Sequence, residues 1–418
     1  MQTAFSPETV SDDNVPDDNV SDDDMSAPSF AGANSSGESG FEASSSRPTW
    51  AEIDLAALRH NVRAVQNRVG LTTQIMGIVK ANAYGHGLVR VAHELVRSGV
   101  GQLGVAFVEE GIELRRSGIE IPILVLGGIV GDQVAEFLRW DLSITASSTW
   151  KLDLIEEAAR HLGKRAKIHV KIDTGMERLG VHHYSAHTLL ERVARSKWCD
   201  LCGVFSHLAT SESEDQIFTQ LQLECFHRVL DWFPRHGIEM PLRHLANSGA
   251  ICNCPATFFD MVRPGLMLYG VYPSEECGRS VNLRRVLSLK TRVVFFKVTK
   301  AGASVGYGRT WRAPHDTRIV TLPVGYGDGY RRSLSNRGQV LIRGNKVPIV
   351  GVVSMDQTTV DIGAEGTAYN DDETVLLGRQ GDEEISTEDL ARWMDTIPYE
   401  VLTGINTRVP RIYLNSQL

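Results

Sequence analysis

Lys80 stands where an apolar run, Ile75-Met76-Gly77-Ile78-Val79, gives way to Ala81-Asn82-Ala83-Tyr84-Gly85-His86-Gly87. A lysine closing a buried strand is desolvated, which disfavours its charged form and frees the neutral amine to act as a nucleophile. Such an amine can form a Schiff base with an aldehyde cofactor. The plainer reading is a strand whose last side chain has reached water. Against it, Asn82, Tyr84 and His86 crowd hydrogen-bonding groups around Gly85 and Gly87, where the backbone can approach a ligand closely.

Other polar residues close apolar runs in the same way. Lys171 and Asp173 end a fifth run, Ser206 and His207 a sixth, His244, Asn247 and Ser248 mark a seventh, and Arg263 an eighth. In all, strand-like runs end at Lys80, Phe107, Gly127, Ala146, Asp173, His207, Asn247 and near Arg263, with 3.6-residue spacing between them, as over 55–69, 152–162 and 218–233. Eight strand-then-helix units predict an α/β region folded as a TIM-type (β/α)8 barrel over residues 48–285, with sites gathered at the carboxyl ends of the strands. Surface decoration would fall at both strand ends equally. The one-sided placement therefore reads as a ring of functional groups around a barrel mouth.

After about residue 285 the period changes to two and the runs become β-branched, which predicts a mainly β C-terminal domain over 286–418. Its expected strands are Val293–Val298, Arg318–Val324, Gln339–Arg343, Val347–Val353, Thr358–Ile362 and Thr374–Leu377. One helix interrupts them, where Ser386-Thr387-Glu388-Asp389 supplies a cap and early acids for Leu390–Met394. The run Gly99-Val100-Gly101-Gln102-Leu103-Gly104 fits G-x-G-x-x-G, but it follows a helix and precedes a strand, the reverse of dinucleotide binding. Gly325-Tyr326-Gly327-Asp328-Gly329 reads as a turn.

With 418 residues and 42% hydrophobic composition, the chain has room for two or three globular domains. The net charge of −8 becomes +2 once the ten acids of residues 1–46, a stretch without Lys or Arg, are set aside. The body gives no electrostatic case for nucleic acid or membrane. Residues 1–47 read as a disordered acidic leader, too polar to bury a core. The leader lacks the basic start and apolar stretch of an export signal, is too acidic for a mitochondrial presequence, and no apolar run is long enough to cross a bilayer, so a cytoplasmic location is expected. The six cysteines, Cys199 and Cys202 of a C-x-x-C included, are expected to stay reduced, and without a second pair at zinc spacing no metal site is expected.

Val79-Lys80-Ala81-Asn82-Ala83-Tyr84-Gly85-His86-Gly87 resembles the cofactor attachment segment of the alanine racemases, fold-type III pyridoxal phosphate enzymes. Further matches follow in order: Lys171-Ile172-Asp173-Thr174-Gly175-Met176-Glu177-Arg178-Leu179-Gly180, Ala246-Asn247-Ser248, Val262-Arg263-Pro264-Gly265, Val305-Gly306-Tyr307-Gly308-Arg309, Ser354-Met355-Asp356-Gln357, Gly378-Arg379-Gln380-Gly381-Asp382 and Pro398-Tyr399-Glu400-Val401. The likeness spans about residues 48–415 and leaves out only the leader.

The resemblance implies that Lys80 holds pyridoxal 5'-phosphate as an aldimine and then serves as one of two bases at the α-carbon of alanine, interconverting its L and D forms. Tyr307 would be the other base, reaching the site from the partner subunit of a homodimer. Opposite-face proton removal and return suits two bases better than one. Arg178 would bind the substrate carboxylate and the phenol, with His207 beside them, and Met355 would offer its amide from across the dimer. Arg263 would face the pyridine nitrogen, near His244, and having no acceptor to offer would leave that nitrogen unprotonated. Tyr84, Ser248, Tyr399 and the amides of Gly265 and Leu266 would hold the phosphate. Lys171 matches a lysine that is carbamylated in many relatives. The family's D-alanine feeds peptidoglycan. Two other readings share parts of this pattern: a racemase of broader specificity, which the bulk of Tyr326 and Tyr399 disfavours, and a non-catalytic pyridoxal phosphate-binding barrel, which would lack the domain bearing Tyr307.

Overall fold

In the computed structural model, which describes residues 47–416, eight short strands run parallel and close into a ring. They are Gln74–Ile78, Gln102–Val105, Ile123–Val125, Ser143–Ala146, Ala166–Asp173, Cys199–Phe205, Leu242–His244 and Met261–Val262. Each pairs with the next, and Met261 and Val262 pair back onto Gln74 and Ile75. The runs are short because both faces are covered. Ile75, Met76, Ile78, Ile123, Leu124 and Val125 are buried side by side in sequence, as a parallel strand between a filled interior and a helical shell requires. The expected barrel is therefore present, and the strand ends foreseen in the sequence do converge on one rim.

The surrounding helices follow from spacing and caps. Over Leu88–Arg97, Leu88, Val91, Ala92 and Leu95 are buried while Arg97 is exposed, a one-sided stripe at helical period. Each leucine or valine so buried contributes roughly 1.5–3 kcal/mol relative to leaving it in water. The run Gly99 to Gly104 follows that helix and enters the next strand, Gln102–Val105, the wrong way round for a dinucleotide turn.

The strand Trp50–Asp54 departs from expectation. It lies within the stretch read as barrel, yet it pairs antiparallel with Leu287–Arg292 and parallel with Arg411–Leu414, in the main sheet of the second region. The local sequence cannot reveal this, because a strand's partner is chosen by long-range packing and not by its own alternation. Asp54 then caps the next helix, Leu55–Val69, through the amides of Ala56 and Ala57.

The second region is mainly antiparallel. Its largest sheet adds Gln339–Ile342, Asn345–Pro348 and Glu373–Gln380, and a three-stranded sheet holds Phe295–Thr299, Thr317–Leu322 and Thr358–Asp361. The single strand expected over 293–298 is thus broken at Val293 and Val294 between two sheets. The helix Thr387–Met394 carries the expected box, with Ser386 and Asp389 exchanging hydrogen bonds. A second helix, Pro398–Thr403, was not foreseen, although proline at its first position is a recognised start signal. The acidic leader lies outside the described residues, apart from Arg47.

Candidate active site

Lys80 leaves the first barrel strand into a backbone of unusual hand. Ala81, Asn82, Ala83 and Tyr84 have φ of 53°, 55°, 52° and 52°, and Gly85 follows at 81°. The left-handed region costs an L-residue about 1–2 kcal/mol each, so four in succession persist only when their surroundings hold them. The surroundings do. The Glu110 carboxylate accepts from Ala81 N at 2.6 Å, and Asn82 Oδ1 accepts from Leu88 N at 2.8 Å. His86 Nδ1–H donates to the carbonyls of Tyr84 and Ala83, at 2.8 and 3.1 Å, while Arg411 Nε and Tyr413 Oη hold the carbonyls of Gly85 and His86. Beneath the turn, Tyr269 Oη donates to Ile78 O at 2.9 Å. Lys80 itself remains open to the mouth, but the protein around it desolvates the amine and, with Arg178, lowers its pKa; Glu110 opposes the shift.

Arg263 is buried at the centre of the rim. It donates to the carbonyls of His244 (2.7 Å), Ser206 (2.7 Å) and Leu245 (3.1 Å), and to the ring nitrogens His244 Nδ1 (3.2 Å) and His207 Nδ1 (3.3 Å). Its Nε has no hydrogen-bond partner among the described residues. Because Arg263 can only donate, His244 must accept at Nδ1 and carry its proton on Nε2, which then reaches His169 Nδ1 at 2.9 Å. Burial and Arg263 push His169 down to about 3, and burial, Lys171 and Arg263 hold His207 well below the usual range, so both rings are neutral acceptors.

Lys171 is buried, with its Nζ 4.3 Å from the centre of the Phe205 ring and no carboxylate within ion-pair distance among the described residues. Burial, Arg263 and Arg178 lower its pKa far below that of a free lysine, which favours the neutral amine. Asp173 is occupied elsewhere. Its carboxylate accepts from the amides of Gly175, Met176, Glu177 and Arg178 at 2.9, 2.9, 3.1 and 3.1 Å and so shapes the loop that carries the exposed Arg178. Burial alone would raise the Asp173 pKa; the four amides outweigh it and hold the group ionised.

A corner beside Lys80 collects neutral donors. Ser248 Oγ lies 3.0 Å from Gly265 N, and a side chain at 265 would bring its Cβ within 2.4 Å of Tyr84 Oη. The Tyr84 and Tyr399 rings are 6.1 Å apart, and burial raises both phenols, Tyr399 to about 12, so they remain protonated donors. Leu266 follows in a buried turn, Leu266–Tyr269. Hydroxyls and amides without a hydrogen-bonded carboxylate, in a cradle that only glycine leaves open, fit a phosphate monoester.

Tyr307 and Met355 stand apart from this ensemble. Both lie in the second region, 73% and 53% exposed, and no hydrogen bond, ion pair or ring contact joins either side chain to the rim residues. The Met355 loop is nonetheless well held. Gly327 N donates to Met355 O at 2.9 Å, and Arg408 bridges Asp328 and Asp356 at 2.6 Å to each. Sequence reading missed Glu110, His169, Tyr269 and Gln222, whose side chain ties Thr174 to the carbonyl of His207. Period two could have found His169, which shares a strand face with Lys171 and Asp173.

Comparison with known proteins matches the family model "Alanine racemase, N-terminal domain" to residues 53–273 and "Alanine racemase, C-terminal domain" to residues 286–413. Alanine racemase 2 of Caldanaerobacter subterraneus is 43% identical over 369 residues, covering 88% of this chain and 95% of the relative. The alanine racemase of D-cycloserine-producing Streptomyces lavendulae superposes with a TM-score of 0.85 at 37% identity, covering 89% of this chain and 98% of that one. The Bartonella henselae enzyme, solved with covalently bound pyridoxal phosphate, gives a TM-score of 0.80 at 29% identity, covering 88% and 99%.

Proposed function

This chain belongs to the alanine racemase family and acts as an amino-acid isomerase, and from that premise we propose that Lys80 and Tyr307 are the two proton carriers, one for each face of the substrate's α-carbon. The observation that carries this reading is the set of strand-end groups around Lys80: a desolvated amine, a buried guanidinium and a corner of hydroxyls and amides with no hydrogen-bonded carboxylate on one rim. When bound, pyridoxal 5'-phosphate supplies the electron-withdrawing ring that makes the α-hydrogen of alanine acidic. Lys80 is its attachment point. Tyr84, Ser248, Tyr399 and the amides of Gly265 and Leu266 would hold its phosphate, and Arg263, braced by His244 and His207, would face its ring nitrogen. The covalently bound pyridoxal phosphate of the Bartonella henselae relative supports a covalently attached cofactor.

Racemisation requires a proton to leave one face and return to the other, which a lysine and a tyrosine on opposite sides accomplish without a mobile base. Arg178 orients the substrate carboxylate, joined by the amide of Met355. Lys171 becomes a carbamate: its neutral nitrogen forms an N–C bond to carbon dioxide and releases one proton, leaving an anion between Arg178 and Arg263. The exposure of Tyr307 and Met355 supports a homodimer in which each subunit completes its partner's site. Among the described residues no helix is long and apolar enough to cross a membrane; a cytoplasmic enzyme that supplies D-alanine to peptidoglycan accords with the family. Tyr326 and Tyr399 favour a small side chain, hence alanine over serine or lysine.

The test combines a spectrum and a rate. The purified enzyme should absorb at about 420 nm through its lysine-bound cofactor. Lys80→Ala should lose that band, and Tyr307→Phe should keep it while losing racemisation. A Tyr307→Phe enzyme with undiminished turnover would remove the second base, and faster turnover of L-lysine than of L-alanine would overturn the substrate.

A further inference from the structure

Glu110 makes a set of contacts that its own helix does not require. It is the third residue of the helix Val108–Arg116, and one carboxylate oxygen turns back to accept from Phe107 N at 3.2 Å, as an ordinary helix-start carboxylate does. The same oxygen also takes Ala106 N at 2.7 Å, at the end of the second barrel strand. Its other oxygen crosses to the first strand and takes Ala81 N at 2.6 Å. That amide belongs to the first left-handed residue of the turn and directly follows Lys80, so its direction sets the peptide plane from which the lysine side chain departs.

The charge is as specific as the geometry. Of the charged or titratable groups that bear on Lys80, Arg178 is cationic, His207 is neutral and Glu110 is the anion. Asp173, the nearby alternative, is turned onto the loop amides.

We propose that Glu110 is a positioning residue for Lys80: its carboxylate fixes the left-handed turn through the Ala81 amide and supplies the negative charge that balances Arg178 beside the amine. The proposal rests on the reading of Lys80 as attachment point and proton carrier. Glu110→Gln keeps the shape and removes the charge, whereas Glu110→Asp keeps the charge and shortens the reach. In the Gln holoenzyme, the pH at which the lysine-bound cofactor's absorption changes should fall by about one unit, because an opposite charge stabilising the protonated nitrogen is gone. Its kcat should fall about tenfold or more, with KM for alanine within about twofold, the mark of a group that acts on the reacting amine and not on substrate binding. Glu110→Asp should leave the spectral midpoint in place while lowering kcat.

An unmoved midpoint in Glu110→Gln overturns the proposal, even if kcat falls, because that pattern belongs to a merely structural carboxylate. Should the Gln variant fail to fold, Glu110→Asp decides alone: unchanged kcat there shows that the reach to Ala81 does no positioning. A 420 nm band that survives Lys80→Ala would instead sink the underlying assignment of Lys80 and leave the Glu110 measurements without their premise.

Discussion

Arg263 and Tyr307 stand at opposite extremes of confinement. Arg263 is buried and reaches three carbonyls and two ring nitrogens, and around it Asp173 holds four amides and Glu110 three. Tyr307 stands on a short turn of the second region, largely exposed, with no hydrogen bond from its hydroxyl among the described residues. Groups that must be oriented before a ligand arrives need dense, satisfied surroundings in a low dielectric, as the barrel rim provides. A large aromatic left bare on the surface is the kind of group that an interface would cover. The rim groups are built in; Tyr307 is presented.

That contrast can be attacked directly. Lys80→Ala should cost the most, at least about 10⁴-fold in turnover, since nucleophile and base vanish together. Tyr307→Phe should follow, lowering kcat by about 10²–10⁴-fold with cofactor absorption intact, because only proton transfer on one face is lost. Mixing the two inactive chains after subunit exchange should restore about a quarter of wild-type activity, since half of the dimers are mixed and each of those holds one intact site. No recovery on mixing, with exchange verified by a tag, would place both bases in one subunit and erase the contrast. Tyr399→Phe should be milder: loss of one neutral donor to a phosphate should weaken cofactor affinity about tenfold, read as the concentration needed to restore the band.

The smallest effect concerns pH. Burial lowers His86 to about 4 and His169 to about 3, whereas the second domain's one histidine, His315, is exposed. Between about pH 6.5 and those values the unfolded chain binds protons that the folded barrel refuses, so this stability is present above about pH 6.5 and is lost as the pH falls. Thermal melts should decline over that window, and hydrogen exchange should show the barrel loosening before the second domain. Equal loosening of the two would contradict the assignment.

The barrel was legible because eight apolar runs alternate with helical spacing and five of them end in polar residues, at Lys80, Asp173, His207, Asn247 and Arg263, and burial on both faces of each strand keeps the runs apolar. Lys80, Lys171, His207, Ser248 and Arg263 were legible for the same reason, since strand ends are local. Glu110 was not: it sits inside a helix, and only the folded barrel brings it to the Ala81 amide. Trp50–Asp54 was misread because nothing in five residues names a partner near residue 412. Pro398–Thr403 escaped for a different reason, as six residues are too few for a periodic stripe to declare itself.

The misplaced strand bears on how the molecule is made. Ala51 lies beside Leu289 on one edge and Arg411 on the other, so this strand is the seam between segments far apart in the sequence. At about 5–20 residues per second a ribosome delivers the final strand roughly tens of seconds after the first. The barrel can assemble during that wait, but the main sheet of the second domain cannot close until Arg411–Leu414 has emerged. One edge of Trp50–Asp54 can pair as soon as Leu287–Arg292 emerges, but the other stays open until Arg411–Leu414 arrives, and an open strand edge is the kind of segment on which chaperones and aggregation compete.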